Sequence, residues 1–119
     1  MATDHSTAPT KLVLTEGDEA EIVIYPIDED GVAFDLDDST GARVTIRKGS
    51  AIGDAVLVTF SPDVDAVDNV LRILVSPAEA ALLVRGTYIG QAAIEFAGLR
   101  VRYSKRFLVE IEPAIAEAP

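Results

Sequence analysis

The fold is decided by one stretch of the sequence, TYIGQAAIEF AG LRVRYSKRFLVEIE, which occupies residues 87–112. Apolar and polar residues alternate through both halves, as they do in half-buried β-strands, and Ala97-Gly98 between them favours a turn. We therefore predict a long terminal β-hairpin. Its core face comprises Tyr88, Gly90, Ala92, Ile94 and Phe96 on the first strand, and Leu99, Val101, Tyr103, Phe107, Val109 and Ile111 on the second. Lys105 breaks the alternation, which indicates a β-bulge or a lysine stem that snorkels.

Upstream of this hairpin, short segments rich in β-branched residues are separated by turn signals every ~8–12 residues, a spacing typical of β-sandwiches. The predicted strands are 11–15, 19–27, 42–48, 55–60 and 69–75, with 32–36 as a short strand or loop. The pattern predicts an all-β fold, an antiparallel Ig-like β-sandwich of seven to eight strands. A small open barrel is the competing architecture.

One short helix is predicted near 77–84. Ser76-Pro77-Ala78-Glu79 has the form of a capping box with proline at the first helical position, and Gly86 favours termination of the helix. The resulting organisation is an N-terminal arm at 1–10, a β-sandwich domain at 11–112 and a C-terminal tail at 113–119. The N-terminus lacks the basic and apolar regions of a signal peptide, and no apolar stretch reaches the ~18–20 residues of a membrane span.

Composition excludes most catalytic and nucleic-acid-binding classes. The 119 residues contain no cysteine and one histidine, His5, so the sequence predicts no thiolate metal site, no cysteine nucleophile and no Ser–His triad. Twenty acidic residues against ten basic ones give a net charge of −10, which disfavours binding to nucleic acid. Eleven of the acids and one base lie in residues 1–42. We expect no enzyme activity, no cofactor and no small-molecule substrate.

Two sets of charged residues are candidates for an assembly interface. Arg100, Arg102 and Arg106 follow the polar face of the last predicted strand, and Glu19 and Glu21 lie in the acidic N-terminal part. The arginines have three interpretations: a nucleic-acid patch, pairs with carboxylates on neighbouring strands, or contacts with the acidic part of an adjacent copy. The net charge ranks nucleic acid last.

Two further features have structural interpretations. Tyr88 follows Gly86-Thr87 at the position where Ig-like folds place a tyrosine corner. A run of acids at residues 28–38 has the residue types that bind Ca²⁺, but it lacks the EF-hand spacing, so we interpret it as two solvated turns and predict no metal site.

Three segments together carry a family resemblance: LTEGD leading into IVI (residues 14–18 and 22–24), DGVAFDL (30–36), and LVSPAE followed by LLVRGTY (74–79 and 82–88). Their order resembles that of the small Ig-like domains of tailed-bacteriophage virion proteins, of the upper-baseplate and fibre-adaptor, neck or head-decoration type. The resemblance implies a non-enzymatic structural subunit of the virion, made in the host cytoplasm, whose partners are other virion proteins and copies of itself. The alternative is a bacterial Ig-like adhesion or carbohydrate-binding module.

Overall fold

The computed structural model describes residues 4–6, 11–49 and 55–115, which form two β-sheets around one apolar core. The strands are β1 (Asp4–Ser6), β2 (Lys11–Thr15), β3 (Glu21–Ile24), β4 (Ser39–Arg47), β5 (Val56–Phe60), β6 (Asp63–Asp65), β7 (Val70–Leu74), β8 (Gly86–Phe96), β9 (Arg100–Tyr103) and β10 (Phe107–Glu112). Within these residues one helix, α1 (Pro77–Ala80), connects β7 to β8. The predicted all-β sandwich with a short helix is confirmed, whereas its immunoglobulin-like topology stays a prediction.

The smaller sheet has the strand order β1-β3-β7-β6, and the larger sheet has the order β2-β10-β8-β4-β5. Strand β9 also pairs with β8, beyond the end of β10. Most pairs are antiparallel as predicted, but β1 runs parallel to β3 and β2 runs parallel to β10. Strands β2 and β10 come from opposite ends of the domain, so no tight turn constrains their relative direction.

The core lies between the two sheets and follows the period of two that strands impose. The larger sheet contributes Leu12, Leu14, Val44, Ile46, Ala92, Ile94, Val109 and Ile111, and the smaller sheet contributes Ile22, Ile24, Leu71 and Ile73. Phe34 and Leu36 enter the same core from the segment 32–36, which is a loop with one isolated bridge between Ile27 and Ala33. The leucine that ends the motif DGVAFDL, Leu36, is therefore a loop residue whose side chain packs in the core.

The described residues form ten strands instead of the predicted seven or eight. The final predicted strand is interrupted after Tyr103, and the interval 61–68, between the predicted strands 55–60 and 69–75, contains β6. Of the predicted arm at 1–10, only residues 4–6 are described, and their backbone forms β1; the rest of the arm lies outside the described residues, as do residues 116–119 of the predicted tail.

The capping box determines where α1 begins. Ser76 Oγ accepts a hydrogen bond from the backbone N–H of Glu79 at 3.1 Å, and Glu79 Oε1 accepts one from the N–H of Ser76 at 3.0 Å. Pro77 occupies the first turn, where its missing N–H costs nothing. The helix ends at Ala80, earlier than the predicted 84, and Ala80 and Leu83 pack into the core.

Candidate assembly surfaces

A β-bulge separates β9 from β10. Tyr103 is opposite Ala93 whereas Phe107 is opposite Gly90, so the second strand of the hairpin contains one residue more than the first. Buried Ser104 fixes the bulge: its Oγ accepts a hydrogen bond from the N–H of Ala92 at 3.0 Å, and its own N–H donates to the Ala92 carbonyl at 2.9 Å. The break in alternation at Lys105 thus marks a bulge, the first of the two predicted alternatives.

The bulge reverses which face of the hairpin's second strand points inward. Phe107, Val109 and Ile111 of β10 are buried as predicted. The prediction for the other half was wrong, because Leu99, Val101 and Tyr103 are exposed, by 88%, 48% and 64%. One inserted residue shifts the side-chain period by one, which moves the remaining side chains to the opposite face.

For the same reason the three candidate arginines do not share a face. The guanidinium carbon of Arg102 lies 4.6 Å from the centroid of the Phe34 ring, and that of Arg100 lies 6.0 Å from the Phe96 ring, a distance at the limit of a cation–π contact. Arg106 lies in the bulge and lines a different hollow, on the outer surface of the larger sheet. The expectation of a single arginine-lined face was therefore wrong.

Arg100 and Arg102 lie close to carboxylates of their own chain. Together with Asp35, Asp38 and Phe96 they line a hollow of about 180 Å³ beside the β8–β9 hairpin. Within the described residues neither arginine forms an ion pair with these acids, so the second interpretation, pairs with carboxylates on neighbouring strands, stays a prediction.

Glu19 and Glu21 belong to the opposite layer. Glu19 is exposed just before β3, and Glu21 is half-buried within β3, a strand of the smaller sheet. The hydrogen bond that the Arg72 guanidinium donates to the Asp65 carboxylate raises the pKa of Arg72, and the negative charge of the nearby Glu21 adds to that shift. Glu21 and the pair Arg100 and Arg102 thus belong to different sheets, and none of the ion pairs of the described residues joins the candidate acids to the candidate arginines.

Exposed ion pairs connect neighbouring elements. Arg85 holds Glu16 through its Nη2 at 3.0 Å and its Nε at 3.2 Å, and its backbone N–H donates to the same carboxylate. The Arg85 side chain is the main cause of a lowered pKa at Glu16, and Glu16 in turn raises the pKa of Arg85. At Asp65 the backbone N–H of Asp68 is the main cause of a lowered pKa. Such exposed pairs contribute little to stability because water screens them.

Carboxylates of the acidic run at residues 28–38 accept hydrogen bonds from backbone N–H groups of the same segment. Asp28 Oδ1 accepts hydrogen bonds from the N–H groups of Asp30 and Val32, both at 2.9 Å, and Asp35 Oδ1 accepts one from Asp37 at 3.1 Å. These are the contacts of solvated turns. In the described part of the chain, no three acidic or histidine side chains converge as metal ligands would, and no helix has the length and apolar character to cross a bilayer.

Tyr88 is placed as a structural residue. Its ring is buried, and its hydroxyl donates a hydrogen bond to the carbonyl of Val84 at 2.8 Å, four residues upstream. This is the geometry of a tyrosine corner, and it fastens the segment after α1 to the first strand of the terminal hairpin.

Replacing Tyr88 with phenylalanine is expected to lower the free energy of unfolding by about 1 kcal/mol, because the Val84 carbonyl loses its donor while the ring stays in place. Tyr103→Phe is the matched control, since Tyr103 is exposed and its hydroxyl makes no hydrogen bond within the described residues. Urea denaturation of the three proteins measures the difference. Equal midpoints for Tyr88→Phe and the wild type would contradict a stabilising role for this hydrogen bond.

A groove that the sequence analysis did not predict lies on the outer surface of the larger sheet. It has a volume of about 510 Å³; Ile89, Gln91 and Ala93 of β8 line it together with Arg47, Tyr103 and Arg106. Gln91 is held to the bulge by a hydrogen bond from its Nε2 to the Ser104 carbonyl at 2.8 Å. The signal in the sequence was the pair Ile89 and Ala93, two apolar residues on the face of β8 that alternation leaves outside the core.

Comparison with solved structures finds a similar fold that extends over nearly the whole of this chain. The N-terminal domain of phage TP901-1 ORF48 matches with a TM-score of 0.58 and 18% sequence identity, over 93% of this chain and 98% of that one. This chain shares its fold with that domain. This likeness confirms, at the level of fold, the resemblance to small β-sandwich domains of phage proteins. The sequence itself matches no protein-family model and no curated protein.

Proposed function

We propose that this chain is a non-enzymatic structural component of a tailed-phage virion: a tail, baseplate, neck, fibre-anchoring or capsid-decoration subunit. The observation that carries the proposal is the fold shared with a phage domain over 93% of this chain and 98% of that domain. Because the match extends over almost the whole of both chains, it concerns the complete architecture and not one common motif. The component acts in the virion, through protein–protein assembly.

The chemistry of the described residues supports a role without catalysis. The carboxylates with resolved pKa shifts, Glu16 and Asp65, are bound to arginines at the surface, as in structural ion pairs. The charged residues that line the large groove are arginines, which stay protonated and make poor general bases. Other virion proteins and further copies of this chain are the partners we propose.

The alternative function, a bacterial adhesion or carbohydrate-binding module, has one observation in its favour. Tyr103 is exposed beside the groove, where an aromatic ring can stack on a sugar. Against it, all four phenylalanines and Tyr88 are buried, so few aromatic faces remain for a sugar platform. A glycan array probed with the labelled full chain distinguishes the two functions, because selective binding supports only the module.

The proposal is tested on particles. Virions produced by cells that carry the gene are purified through a density gradient and analysed by quantitative mass spectrometry, with the major capsid protein as the internal standard. We expect the chain at a fixed ratio to capsid protein across the particle peak. An abundant host protein serves as the contamination control. A chain that disappears from the particle fractions at the same rate as that host protein would contradict the proposal.

A further inference from the structure

We infer that the open edge of strand β5 (Val56–Phe60) pairs antiparallel with the same edge of a second copy of this chain, across a two-fold axis at Thr59. The larger sheets of the two copies then form one continuous sheet. The inference rests on the proposed function, since it names one of the contacts through which copies assemble.

Strand β5 is the last strand of the larger sheet. In the part of the chain that the structure describes, it pairs with β4 alone, so its other side is open. The pairing with β4 is regular from Val58 to Phe60, because the register shift between Ile46 and Arg47 lies outside that segment. An open edge presents unpaired backbone N–H and C=O groups, which can pair with a strand of another molecule.

The hydrogen bonds of β8 determine which way the backbone groups of the neighbouring strands point. The Ser104 N–H donates a hydrogen bond to the Ala92 carbonyl at 2.9 Å, so the backbone groups of Ala92 face β9 and β10. Along an antiparallel strand these groups alternate between its two sides. Gln91 therefore faces β4, where it is opposite Thr45, and Thr45 faces β8 in return.

The same alternation directs the backbone of Thr59 to the open side of β5. Because Thr45 faces β8, its neighbours Val44 and Ile46 face β5, where they are opposite Phe60 and Val58. Thr59 lies between these two residues and points its N–H and C=O away from β4. In the described part of the chain, no turn or loop hydrogen bond involves Thr59. When two copies meet at this residue, each Thr59 N–H donates to the Thr59 carbonyl of the other copy.

Among the edge strands of the described residues, β5 is the one without a charged residue. The others, β1, β2, β6 and β9, contain Asp4, Lys11, Asp63 with Asp65, and Arg100 with Arg102, respectively. Charged side chains and short length keep open edges from pairing with other chains. The sequence of β5 is Val-Leu-Val-Thr-Phe, in which β-branched and aromatic residues favour a strand and no proline interrupts it. Strand β5 thus lacks the protection of the other edges, as expected of an edge that a partner covers.

The absence of charge also indicates that the partner is a second copy. A two-fold axis places a strand opposite itself, so a charge on the strand meets a like charge, which destabilises the pair. At β9 the same pairing would bring the arginines of two copies together, whereas at β5 it places the exposed Thr59 opposite Thr59. Threonine pairs of this kind stabilise neighbouring strands. Copies with a net charge of −10 repel one another, and a neutral edge adds no local repulsion.

Thr59→Pro in the full chain tests the hydrogen bonds at the axis. Proline has no N–H, but at an open edge the missing donor breaks no hydrogen bond of the proline's own sheet, so the monomer keeps its pairing with β4. The dimer loses both central hydrogen bonds. We therefore expect its dissociation constant to rise by roughly tenfold or more.

Thr59→Lys and Thr59→Glu test the same contact by charge and keep the backbone N–H. Each variant alone is expected to raise the dimer dissociation constant by roughly threefold or more, because like charges then face each other across the axis. A mixture of the two variants is expected to restore dimerisation as a heterodimer, since lysine then faces glutamate. Thr87→Lys is the matched control, because Thr87 is exposed on β8, an inner strand of the same sheet.

Analytical ultracentrifugation measures the dimer, and circular dichroism verifies that every variant is folded. Dimerisation that is weakened by each Thr59 variant, restored in the mixture and unchanged by Thr87→Lys supports the inference. A wild type that stays monomeric, or a dimer indifferent to Thr59→Lys, overturns it. If the chain is monomeric but Thr59→Lys abolishes its incorporation into particles, the edge pairs with another virion protein and the inference is likewise wrong. The proposed function fails separately, when the wild-type chain is missing from purified particles.

Discussion

Replacing Leu36 with alanine is expected to lower the free energy of unfolding by about 2–5 kcal/mol, the cost of truncating a buried leucine where the neighbours cannot close the cavity. Leu36 is 0% exposed, although it lies in a loop. Its backbone N–H donates to Asn69 Oδ1 at 3.2 Å, which holds the loop against the segment before β7. Because this anchor keeps the backbone in place, the lost side chain leaves a void. Guanidinium denaturation followed by circular dichroism measures the change.

Leu99→Ala is the matched control for this substitution, since it removes the same atoms from a side chain that is 88% exposed. We expect it to change stability by less than about 0.5 kcal/mol. If the two variants unfold at the same denaturant concentration, Leu36 does not anchor the loop in the core.

Local alternation was sufficient to predict the strands whose pattern is uninterrupted. In β8, the residues assigned to the core face from sequence are the ones that point between the sheets, because a period of two fixes which side chains lie together. Alternation does not say whether the apolar face of a strand points inward or outward. Leu99, Val101 and Tyr103 alternate as regularly as Phe107, Val109 and Ile111, and only the bulge at Ser104–Arg106 separates an exposed set from a buried one.

The direction of a strand and the strand it pairs with were harder to predict from the sequence, for a different reason. Whether β2 runs parallel or antiparallel to β10 depends on contacts between residues almost a whole domain apart, and no turn residue encodes that choice. Strand β6 is only three residues long, within a segment whose proline and aspartates are typical of loops. Short strands of this kind form because a neighbour, here β7, offers free backbone groups.

The candidate interface was also only partly predictable from the sequence. The types of residue were visible in the sequence, but their grouping depended on the register of the hairpin. Arg102 and Arg106 are four positions apart, yet the bulge sends one toward Phe34 and the other to the outer groove. The groove combines Arg47 of β4 with Tyr103 of β9, and that juxtaposition exists only once both strands are placed on either side of β8.

Replacing Gly90 with alanine is expected to destabilise the fold by about 1–3 kcal/mol, the range for overpacking a well-filled core. A Cβ atom at this position would lie 2.4 Å from Cε2 and 2.7 Å from Cζ of the Phe107 ring, closer than carbon atoms can approach. Phe107 is opposite Gly90 across the β8–β10 pair and is itself buried, so its ring has little room to move away. Thermal and guanidinium unfolding measure the loss.

Two comparisons identify the ring as the cause. Gly41→Ala, in β4, adds the same methyl group where no atom lies within 4 Å, and we expect a change below about 0.5 kcal/mol. In a Phe107→Leu background the clash is relieved, so Gly90→Ala should cost less there than in the wild type, with a coupling of roughly 0.5–3 kcal/mol. An equal cost in both backgrounds would mean that the alanine acts on the strand backbone and not on Phe107. The glycine is then explained by packing: it leaves space for an aromatic ring next to the bulge, at the point where the hairpin changes from buried β10 to exposed β9.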